Sequence, residues 1–378
     1  MMKTACVIGL GFGDEGKGAT TDALARRSER PLVIRFSGGH QDGHTVPDPA
    51  GRHHVFSNFG AGTLAGAPTY WSSYCTFHPP GFARERDALS VMNVEPRLFV
   101  DGRCPVTTPY DLLHNRRVER KVQHGSCGLG FGATVERHEG PHKIHVADLL
   151  DDFVLEQKLK SVMLYYARKG ARFDPAILGP ALEEFHASVG SVRRHLRIVT
   201  ERSFFDGIDQ VFTDLIFEGS QGILLDQEFG YFPHVTRAFT TTRNALLLCE
   251  RYGLPLPRVY YVTRCYQTRH GAGPLTNENS PAPALRPTPE ETNVYNPWQG
   301  NQRRTLLDLD QLRYALSCDA HYSALLDQAL VITCLDQLNG PLLVTEGDQV
   351  RKSSASEIAA RMRLKLWDRT SAIPAART

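Results

Sequence analysis

The chain has 378 residues, 41% of them hydrophobic and 22% charged, and this length leans towards two domains, although one large α/β domain also fits. Its 43 basic and 41 acidic side chains give a net charge of +2, which argues against a dedicated nucleic-acid-binding protein. The chain has no signal-peptide pattern, no run near the roughly 18 apolar residues of a membrane span, and eight scattered cysteines, so we expect a cytoplasmic protein with reduced thiols.

The first forty residues are predicted to form a β-strand, a loop, an α-helix and a second β-strand. Residues 5–8 are a short apolar run, residues 9–18 are rich in glycine, and residues 19–27 have helix-forming composition. Residues 31–36 resemble another buried strand, which completes a βαβ unit. Three later apolar runs of the same kind are residues 214–217, 259–262 and 330–333.

Polar or glycine-rich loops follow these strands from residue 31 onwards. Their recurrence predicts an α/β fold with a mostly parallel sheet, whose strand ends share one crevice where ligands usually bind. Between residues 148 and 201 apolar residues recur at spacings of three and four, so we expect a helical insertion packed on the sheet. Residues 277–289 are rich in Pro and Asn and are expected to form an exposed loop.

The segment GFGDEGKG at residues 11–18 is the first candidate site. As GxGxxG it resembles a dinucleotide fingerprint, but the acidic residue expected about 20 positions later is missing. As GxxxxGK it is close to a phosphate-binding loop, although Gly18 stands where Ser or Thr would bind Mg²⁺. Backbone N–H groups and Lys17 suit a phosphate. Asp14 and Glu15 are unexpected in such a loop unless a metal or a proton transfer needs them.

The segment GGHQDGHT at residues 38–45 contains two histidines four residues apart. This spacing would suit a metal site on a helix, but three glycines within six residues argue against a helix and so against zinc. Beside a phosphate site, His44 is better interpreted as a general acid or as a stabiliser of developing charge. On this segment alone, a structural role for His44 is an equal alternative.

Three further polar loops are candidates for ligand binding. EGSQGILLD at 218–226 with PHVT at 233–236, and TRHGAGP at 268–274, offer backbone donors and polar side chains, or are ordinary strand-to-helix turns. QGNQRR at 299–304 carries two arginines that suit a phosphate or a dicarboxylate, or that form a solvated face.

Taken together, GDEGKG, GGHxxGHT, EGxQGxLLD with PxVT, and TRxGxGP occur in the order seen in adenylosuccinate synthetases, which the chain resembles over about 260 residues. The resemblance implies one large domain over residues 1–378, with a P-loop-like α/β fold of helices around a mostly parallel sheet, and a homodimer. It also implies a carbon–nitrogen ligase that condenses a purine 6-oxo nucleotide with L-aspartate at the expense of a nucleoside triphosphate.

The resemblance assigns roles to individual residues. Asp14 would take the purine N1 proton and coordinate Mg²⁺, with the Gly43 carbonyl as a second magnesium ligand. His44 would stabilise the transferring phosphoryl group, and Lys17 would hold the triphosphate. Further triphosphate contacts are implied for Gly13, Glu15, Gly16, Gly18, Thr45, Arg303, Cys334, Leu335 and Asp336. Purine-nucleotide contacts are implied for Gln41, Ser126, Cys127, Gln221, Leu225, Thr236 and His270, and aspartate contacts for Gln299, Gly300, Asn301, Arg303 and Arg304.

Departures from the family pattern bear on the substrates. The Lys-x-Asp motif that reads the base of GTP is CLD at residues 334–336 here, which favours ATP as the phosphoryl donor. Asn301 replaces the arginine that reaches the ribose 2′-hydroxyl in the family, which favours a 2′-deoxy substrate. The segments FSNFGAGTL at 56–64, HGSCGLGFGAT at 124–134 and YQTRHGAGP at 266–274 resemble the phage-encoded 2-aminoadenylosuccinate synthetases.

Enzymes of that bacteriophage branch join dGMP to L-aspartate with ATP, in the host cytoplasm, to make the precursor of 2-aminoadenine (diaminopurine) in viral DNA. Under this hypothesis Asp42 accepts a hydrogen bond from the purine 2-amino group. An ordinary adenylosuccinate synthetase using IMP and GTP is the first alternative. A nucleotide-dependent regulatory protein is another, but the presence of both Asp14 and His44 argues against it. A dehydrogenase is disfavoured because the acidic residue that binds the ribose is missing.

Overall fold

The computed structural model describes residues 2–47, 51, 53–286 and 295–368. In chain order the strands are β1 (Lys3–Gly9), β2 (Pro31–Arg35), β3 (His44–Pro47), β4 (His53–Phe56), β5 (Thr69–Trp71), β6 (Leu98–Asp101), β7 (Arg197–Val199), β8 (Asp214–Glu218), β9 (Arg258–Arg264), β10 (Tyr266–Arg269), β11 (Arg303–Asp308), β12 (Gln328–Thr333), β13 (Leu343–Glu346), β14 (Gln349–Lys352) and β15 (Lys365–Leu366). The α-helices are α1 (Lys17–Arg26), α2 (Pro79–Val91), α3 (Pro109–Val122), α4 (Phe131–Glu139), α5 (Asp152–Arg168), α6 (Pro175–His195), α7 (Glu201–Phe205), α8 (Ile208–Val211), α9 (Arg243–Tyr252), α10 (Leu309–Ser323) and α11 (Ala355–Arg361). Short 3₁₀ helices lie at Thr63–Ala65, Val146–Leu150, Ile223–Leu225 and Leu335–Gln337.

Nine strands form one sheet in the order β15-β12-β9-β1-β8-β2-β5-β6-β7, and every neighbouring pair in it is parallel. A second sheet has the order β10-β11-β13-β14, and β3 pairs with β4. The predicted α/β fold with a mostly parallel sheet is therefore confirmed. Because β1 lies between β8 and β9, the carboxyl ends of these three strands share the crevice where such sheets bind ligands.

The strands of the large sheet are buried, which explains their continuous apolar sequences. Cys6, Val7 and Ile8 of β1 are inaccessible to solvent, as are Leu215 and Phe217 of the neighbouring β8. Such runs are typical of parallel strands that are covered on both faces, because neither face then meets water. The predicted strands at 31–36, 214–217, 259–262 and 330–333 match β2, β8, β9 and β12 within two residues at each end.

The predicted helical insertion at residues 148–201 contains α5 and α6, with Leu155, Leu159, Val162 and Tyr166 forming the buried stripe of α5. The insertion is not wholly helical, because β7 lies within it and pairs with β6 at the edge of the large sheet. A strand of three residues is too short to show an alternating pattern, so the sequence did not predict it.

Two other expectations concern the exposed loop at residues 277–289 and the oxidation state of the cysteines. The described part of the predicted loop at 277–289 is residues 277–286, which are irregular and mostly exposed, and residues 287–289 lie outside the described residues. All eight cysteines are free thiols. Across the described ranges, no helix has both the length and the apolar character needed to cross a membrane.

Candidate active site

The loop between β1 and α1 has the backbone of an anion-binding loop. Gly13, Asp14 and Gly16 have φ angles of 91°, 56° and 91°, and turns of this kind make concave sites lined by N–H groups. The N-cap residue of α1, Gly16, offers no side-chain hydrogen bond, and Lys17 is buried at the same end. An uncapped helix N-terminus beside a lysine suits a phosphate group.

Gly18 illustrates why this loop departs from the usual phosphate-loop sequence. A Cβ atom at Gly18 would come within 2.7 Å of the Cβ of His44. The Ser or Thr expected at this position would therefore collide with the first residue of β3. The close approach brings the glycine-rich loop and the GGHQDGHT segment together, as the two motifs require if they act on one ligand.

Asp14 and His270 form the first of two histidine–carboxylate pairs that include a residue of the first two glycine-rich motifs. His270 Nε2 lies 3.2 Å from Asp14 Oδ2, and the Asp14 side chain is 30% exposed. Burial raises the pKa of Asp14, but the hydrogen bond and charge of His270, with the charges of Arg264 and Lys17, lower it overall. Arg264 also donates a hydrogen bond to the Asp14 carbonyl. Asp14 is therefore an ionised carboxylate that a substrate can reach.

His44 and Glu218 form the second pair, which is almost completely buried. His44 Nδ1 donates to Glu218 Oε1 at 2.7 Å, and the side chains are 6% and 0% exposed. The other oxygen of Glu218 accepts a hydrogen bond from the Ala61 N–H at 3.1 Å. Burial raises the pKa of Glu218, but His44 and Arg35 lower it overall, so the carboxylate is ionised.

The orientation of His44 leaves one ring nitrogen for a ligand. Its Nε2 atom is buried and has no hydrogen-bond partner among the described residues. Burial lowers the pKa of His44, and Arg35 and Lys17 add to this effect, whereas Glu218 opposes it. Since Glu218 holds Nδ1, only Nε2 can contact a transferring group.

Glu15 faces the backbone of its own loop. Its Oε1 atom accepts a hydrogen bond of 2.6 Å from the Gly11 N–H, and the side chain is buried. Burial raises the pKa of Glu15 to about 7. Cβ atoms added at Gly9 or Gly222 would come within 2.1 Å and 2.7 Å of Glu15 Oε2, so both glycines make room for this carboxylate. The structure therefore makes Glu15 a support of the loop.

The predicted purine contacts Gln41 and Gln221 are joined through Asp42. The Asp42 carboxylate accepts hydrogen bonds from the side-chain amides of both, at 3.2 Å for Gln41, and from the Gly39 N–H at 3.2 Å. Gln221 has a positive φ of 53°. Beside them, the Thr236 N–H donates to the Leu225 carbonyl at 2.8 Å. These loops follow β2 and β8, whose carboxyl ends are adjacent.

The loops predicted to contact the purine nucleotide and aspartate contact each other directly. Gln299 Nε2 donates to the Gly125 carbonyl at 2.7 Å, and Ser126 Oγ donates to Asn115 Oδ1 at 3.1 Å. Burial raises the pKa of Cys127 to about 11, so it is a neutral thiol. In the same region Gly300 has a φ of 73° and Asn301 is exposed.

The two predicted arginines of this segment are engaged within the protein. Arg303 donates to the carbonyls of Gly271 and Gly273, each at 2.8 Å, and pairs with Glu278 at 2.7 Å. Arg304 Nε donates to Gln302 Oε1 at 3.0 Å. Arg303 thus stabilises the loop that carries His270. Only the part of its guanidinium group that is not used in these contacts is available to a ligand.

The predicted base-binding segment follows β12. Cys334 has a φ of 60°, its carbonyl accepts a hydrogen bond from the Cys265 thiol at 3.1 Å, and Leu335 and Asp336 are exposed. Thr333 Oγ1, one residue earlier, donates to the Glu15 carbonyl at 2.8 Å. The segment therefore adjoins the glycine-rich loop, as one nucleoside triphosphate spanning both would require. Thr45 continues β3 from His44 and is partly buried.

Sequence reasoning missed Glu218, Arg264 and Asn115. Glu218 begins the EGSQG motif, and a carboxylate that ends a buried strand needs a hydrogen-bonding partner, which is a usable signal. Arg264 ends β9 in the same way. For Asn115, within the amphipathic α3, we find no signal in the sequence.

Asp14 is the carboxylate of this site that is available to a magnesium ion. Across the described ranges there is no group of three or more His, Cys, Asp or Glu residues that could hold a metal. Mg²⁺ is commonly bound by one or two carboxylates together with substrate phosphates and water, so Asp14 and the carbonyl of the exposed residue Gly43 fit this ion as part of such a shell.

Comparison with known proteins gives one family. The family model described as adenylosuccinate synthetase matches residues 6–345. The adenylosuccinate synthetase of Thermus thermophilus is 28% identical over 379 residues, covering 95% of this chain and 86% of the relative, and that of Koribacter versatilis is 29% identical over 352 residues, covering 89% and 76%.

Two solved structures share the fold. Adenylosuccinate synthetase from Plasmodium falciparum, fully ligated, superposes with a TM-score of 0.68 at 20% identity and covers 86% of this chain and 76% of its own. The succinoaminodeoxyadenylate synthetase of cyanophage S-2L, bound to dGMP and to dATP as an energy donor, superposes with a TM-score of 0.61 at 16% identity, covering 96% and 100%.

Proposed function

The chain belongs to the adenylosuccinate synthetase family of carbon–nitrogen ligases, and from this premise we propose that it joins dGMP to L-aspartate with ATP as the phosphoryl donor. The products are 2-amino-2′-deoxy-N6-succinyl-adenylate, ADP and phosphate. One observation carries the proposal: two histidine–carboxylate pairs, Asp14–His270 and His44–Glu218, border an anion-binding loop at the ends of adjacent strands. We propose that the enzyme is a homodimer, as in its family.

The chemistry requires a better leaving group at purine C6 than oxygen. In the proposed reaction Asp14 accepts the N1 proton, and O6 attacks the γ-phosphorus of ATP as the bond to ADP breaks. The amine of aspartate then attacks C6, the C6–O bond breaks, and phosphate leaves while the amine loses a proton. His44 Nε2 hydrogen-bonds the transferring phosphoryl group, and Lys17 holds the phosphates through its charge.

The choice of dGMP and ATP rests on substitutions and on one structural neighbour. Cys334 replaces the lysine that reads guanine in the family's GTP site, and Asn301 replaces the arginine that reaches the ribose 2′-hydroxyl. The cyanophage neighbour was solved with dGMP and dATP, so dATP is a further donor to test. Asp42 is proposed to accept a hydrogen bond from the 2-amino group, because its carboxylate lies beside Gln41 and Gln221.

A bound Mg²⁺ would neutralise charge on the donor phosphates and be held by Asp14 and the Gly43 carbonyl. Asp14 is suited to this because its lowered pKa keeps it ionised. The glycine-rich loop orients the triphosphate independently through its N–H groups.

A substrate matrix tests the proposal. The protein is incubated with L-aspartate and Mg²⁺, with dGMP, dIMP, GMP or IMP as acceptor and ATP, dATP or GTP as donor. We expect product from dGMP with an adenine nucleotide. Product only from IMP with GTP would contradict the proposal.

Asp42 is tested by its variants in the same matrix. Asp42→Ala is expected to reduce the preference for dGMP over dIMP, since it removes the acceptor for the 2-amino group. Asp42→Asn keeps one acceptor oxygen and is the matched control. An unchanged preference in Asp42→Ala would refute this role.

A second candidate is an ordinary adenylosuccinate synthetase that uses IMP and GTP. The sequence relatives favour it, because the curated proteins that match at 26–31% identity are named adenylosuccinate synthetase. The acceptor and donor preferences in the matrix decide between the two.

A further inference from the structure

Two arginines on α3 lie beside the Gly125–Gly130 loop without a carboxylate partner. Arg116 and Arg120 are four residues apart, a spacing at which like charges on a helix repel each other. Within the described part of the chain neither forms an ion pair with a carboxylate. The adjacent acid, Glu119, accepts a hydrogen bond from the Gly125 N–H at 2.8 Å, and its other oxygen lies 2.6 Å from His124 Nδ1, so its charge is already engaged.

Trp298 holds the two guanidinium groups against the loop. Their central carbons lie 5.7 Å (Arg116) and 5.3 Å (Arg120) from the centroid of the Trp298 ring. The ring also packs on Gly128, where an added Cβ would come within 2.8 Å of Trp298 Cδ1. Arg116 Nε donates to the Gly128 carbonyl at 3.0 Å, which orients its guanidinium group along the loop. Stacking on an indole restrains an arginine without neutralising it.

The Gly125–Gly130 loop connects the two arginines to the loop that carries His270. A Cβ at Gly125 would lie 3.1 Å from the Ala272 N atom, so the Gly125 and Ala272 backbones are in contact. Two residues before Ala272, His270 pairs with Asp14. The Gly125–Gly130 loop that Arg116 contacts is therefore also in backbone contact with the loop that carries His270.

We propose that Arg116 and Arg120, positioned by Trp298, bind the 5′-phosphate of the purine nucleotide. A phosphate monoester carries a charge of about −1.5 to −2 at neutral pH, which two unpaired guanidinium groups match. Each planar guanidinium can also donate two hydrogen bonds to phosphate oxygens. A dicarboxylate such as aspartate is the alternative anion, and the experiments below separate it from the phosphate. The identity of the nucleotide rests on the proposed function, but the anion site itself does not.

Binding of nucleotide and nucleoside to the full-length protein tests the proposal by calorimetry. Arg120→Gln is expected to weaken dGMP binding by about 10- to 100-fold and to leave deoxyguanosine binding unchanged. Arg117→Gln is the matched control, because Arg117 is on the same helix and donates to the distant Gly170 carbonyl. Equal losses in Arg120→Gln and Arg117→Gln, or equal losses of dGMP and deoxyguanosine, would overturn the proposal.

Trp298 is a positioning residue, and its variants separate this role from simple packing. Trp298→Phe keeps an aromatic face and should retain most of the preference for dGMP over deoxyguanosine, whereas Trp298→Ala should lose it. If Arg120→Gln raised KM for aspartate and left dGMP binding unchanged, the anion would be a carboxylate and the proposal would be wrong.

The same titrations with IMP and inosine separate this proposal from the proposed function. If the protein turns over only IMP, the dGMP function fails, and a selective loss of IMP binding in Arg120→Gln still supports the phosphate site. If Arg120→Gln binds both nucleotides as tightly as the unmodified protein does, the phosphate site is refuted whichever substrate is used.

Discussion

The two histidine–carboxylate pairs use the same chemical groups in opposite surroundings. In Asp14–His270 the carboxylate side chain is 30% exposed and the histidine 17% exposed. In His44–Glu218 the histidine is 6% exposed and the carboxylate is inaccessible. The first pair presents a carboxylate to the crevice, whereas the second hides the carboxylate and presents only an imidazole nitrogen.

Burial therefore decides which member of each pair acts. The partly exposed carboxylate of Asp14 is available to a proton or a cation, and His270 only lowers its pKa. In the second pair Glu218 cannot reach a ligand, so it acts through His44 by holding Nδ1. Removing the two carboxylates is therefore expected to have different consequences, and the following predictions test that difference.

The largest effect is expected for Asp14→Asn. Loss of a general base typically costs about 10²- to 10⁴-fold in rate, and binding of ATP with Mg²⁺ should weaken as well, because the variant lacks the carboxylate that is proposed to hold the ion. Steady-state kinetics and calorimetry measure the two quantities, with the exposed Asp87→Asn as a control. Full turnover by Asp14→Asn would show that the exposed carboxylate is not the base.

A smaller loss of turnover, on the order of 10²-fold, is expected for Glu218→Gln, because His44 is then less well positioned while its ring remains. The same change leaves a buried hydrogen-bonded network imperfectly paired and should reduce the free energy of unfolding by about 1–3 kcal/mol. Kinetics and urea unfolding check both results. A variant that loses stability but keeps its kcat would make Glu218 purely structural.

His270→Gln is expected to lower kcat by only about 2- to 10-fold, because an ion pair that solvent partly reaches contributes little energy. Burial raises the pKa of Asp14, and His270 is the first of the groups that oppose this rise. Without His270 the pKa of Asp14 increases, so the acid limb of the pH–rate profile should move to higher pH. A profile that stays in place would break the assigned link between these residues.

The last prediction concerns the free energy of unfolding and not turnover, and it tests the buried histidine His40. Burial and the charge of Arg84 lower the pKa of His40 to about 3, compared with about 6.5 for an unfolded chain. Between these values the unfolded state binds a proton that the folded state does not, so stability falls as the pH falls, by roughly 1.4 kcal/mol per pH unit. Urea unfolding of His40→Gln at pH 7 and pH 5 should show a shallower decline than the unmodified protein. Equal slopes would contradict a buried neutral His40.

Sequence reasoning found the fold and most of the loops because both depend on local patterns. The apolar runs of β1, β2, β8, β9 and β12 and the glycine-rich segments after them are local features. The partners within the site are not local, since His44 and Glu218 are 174 positions apart and meet through the order of strands. The edge strand β7, with three residues, is defined by its pairing with β6.

The central claim, that this site phosphorylates the purine O6 before aspartate attacks, has a direct test. The protein is incubated with dGMP labelled with ¹⁸O at O6, together with L-aspartate, ATP and Mg²⁺, and the inorganic phosphate formed is examined by mass spectrometry. We predict that each phosphate released with product carries the ¹⁸O atom. Unlabelled phosphate formed together with product would contradict the account.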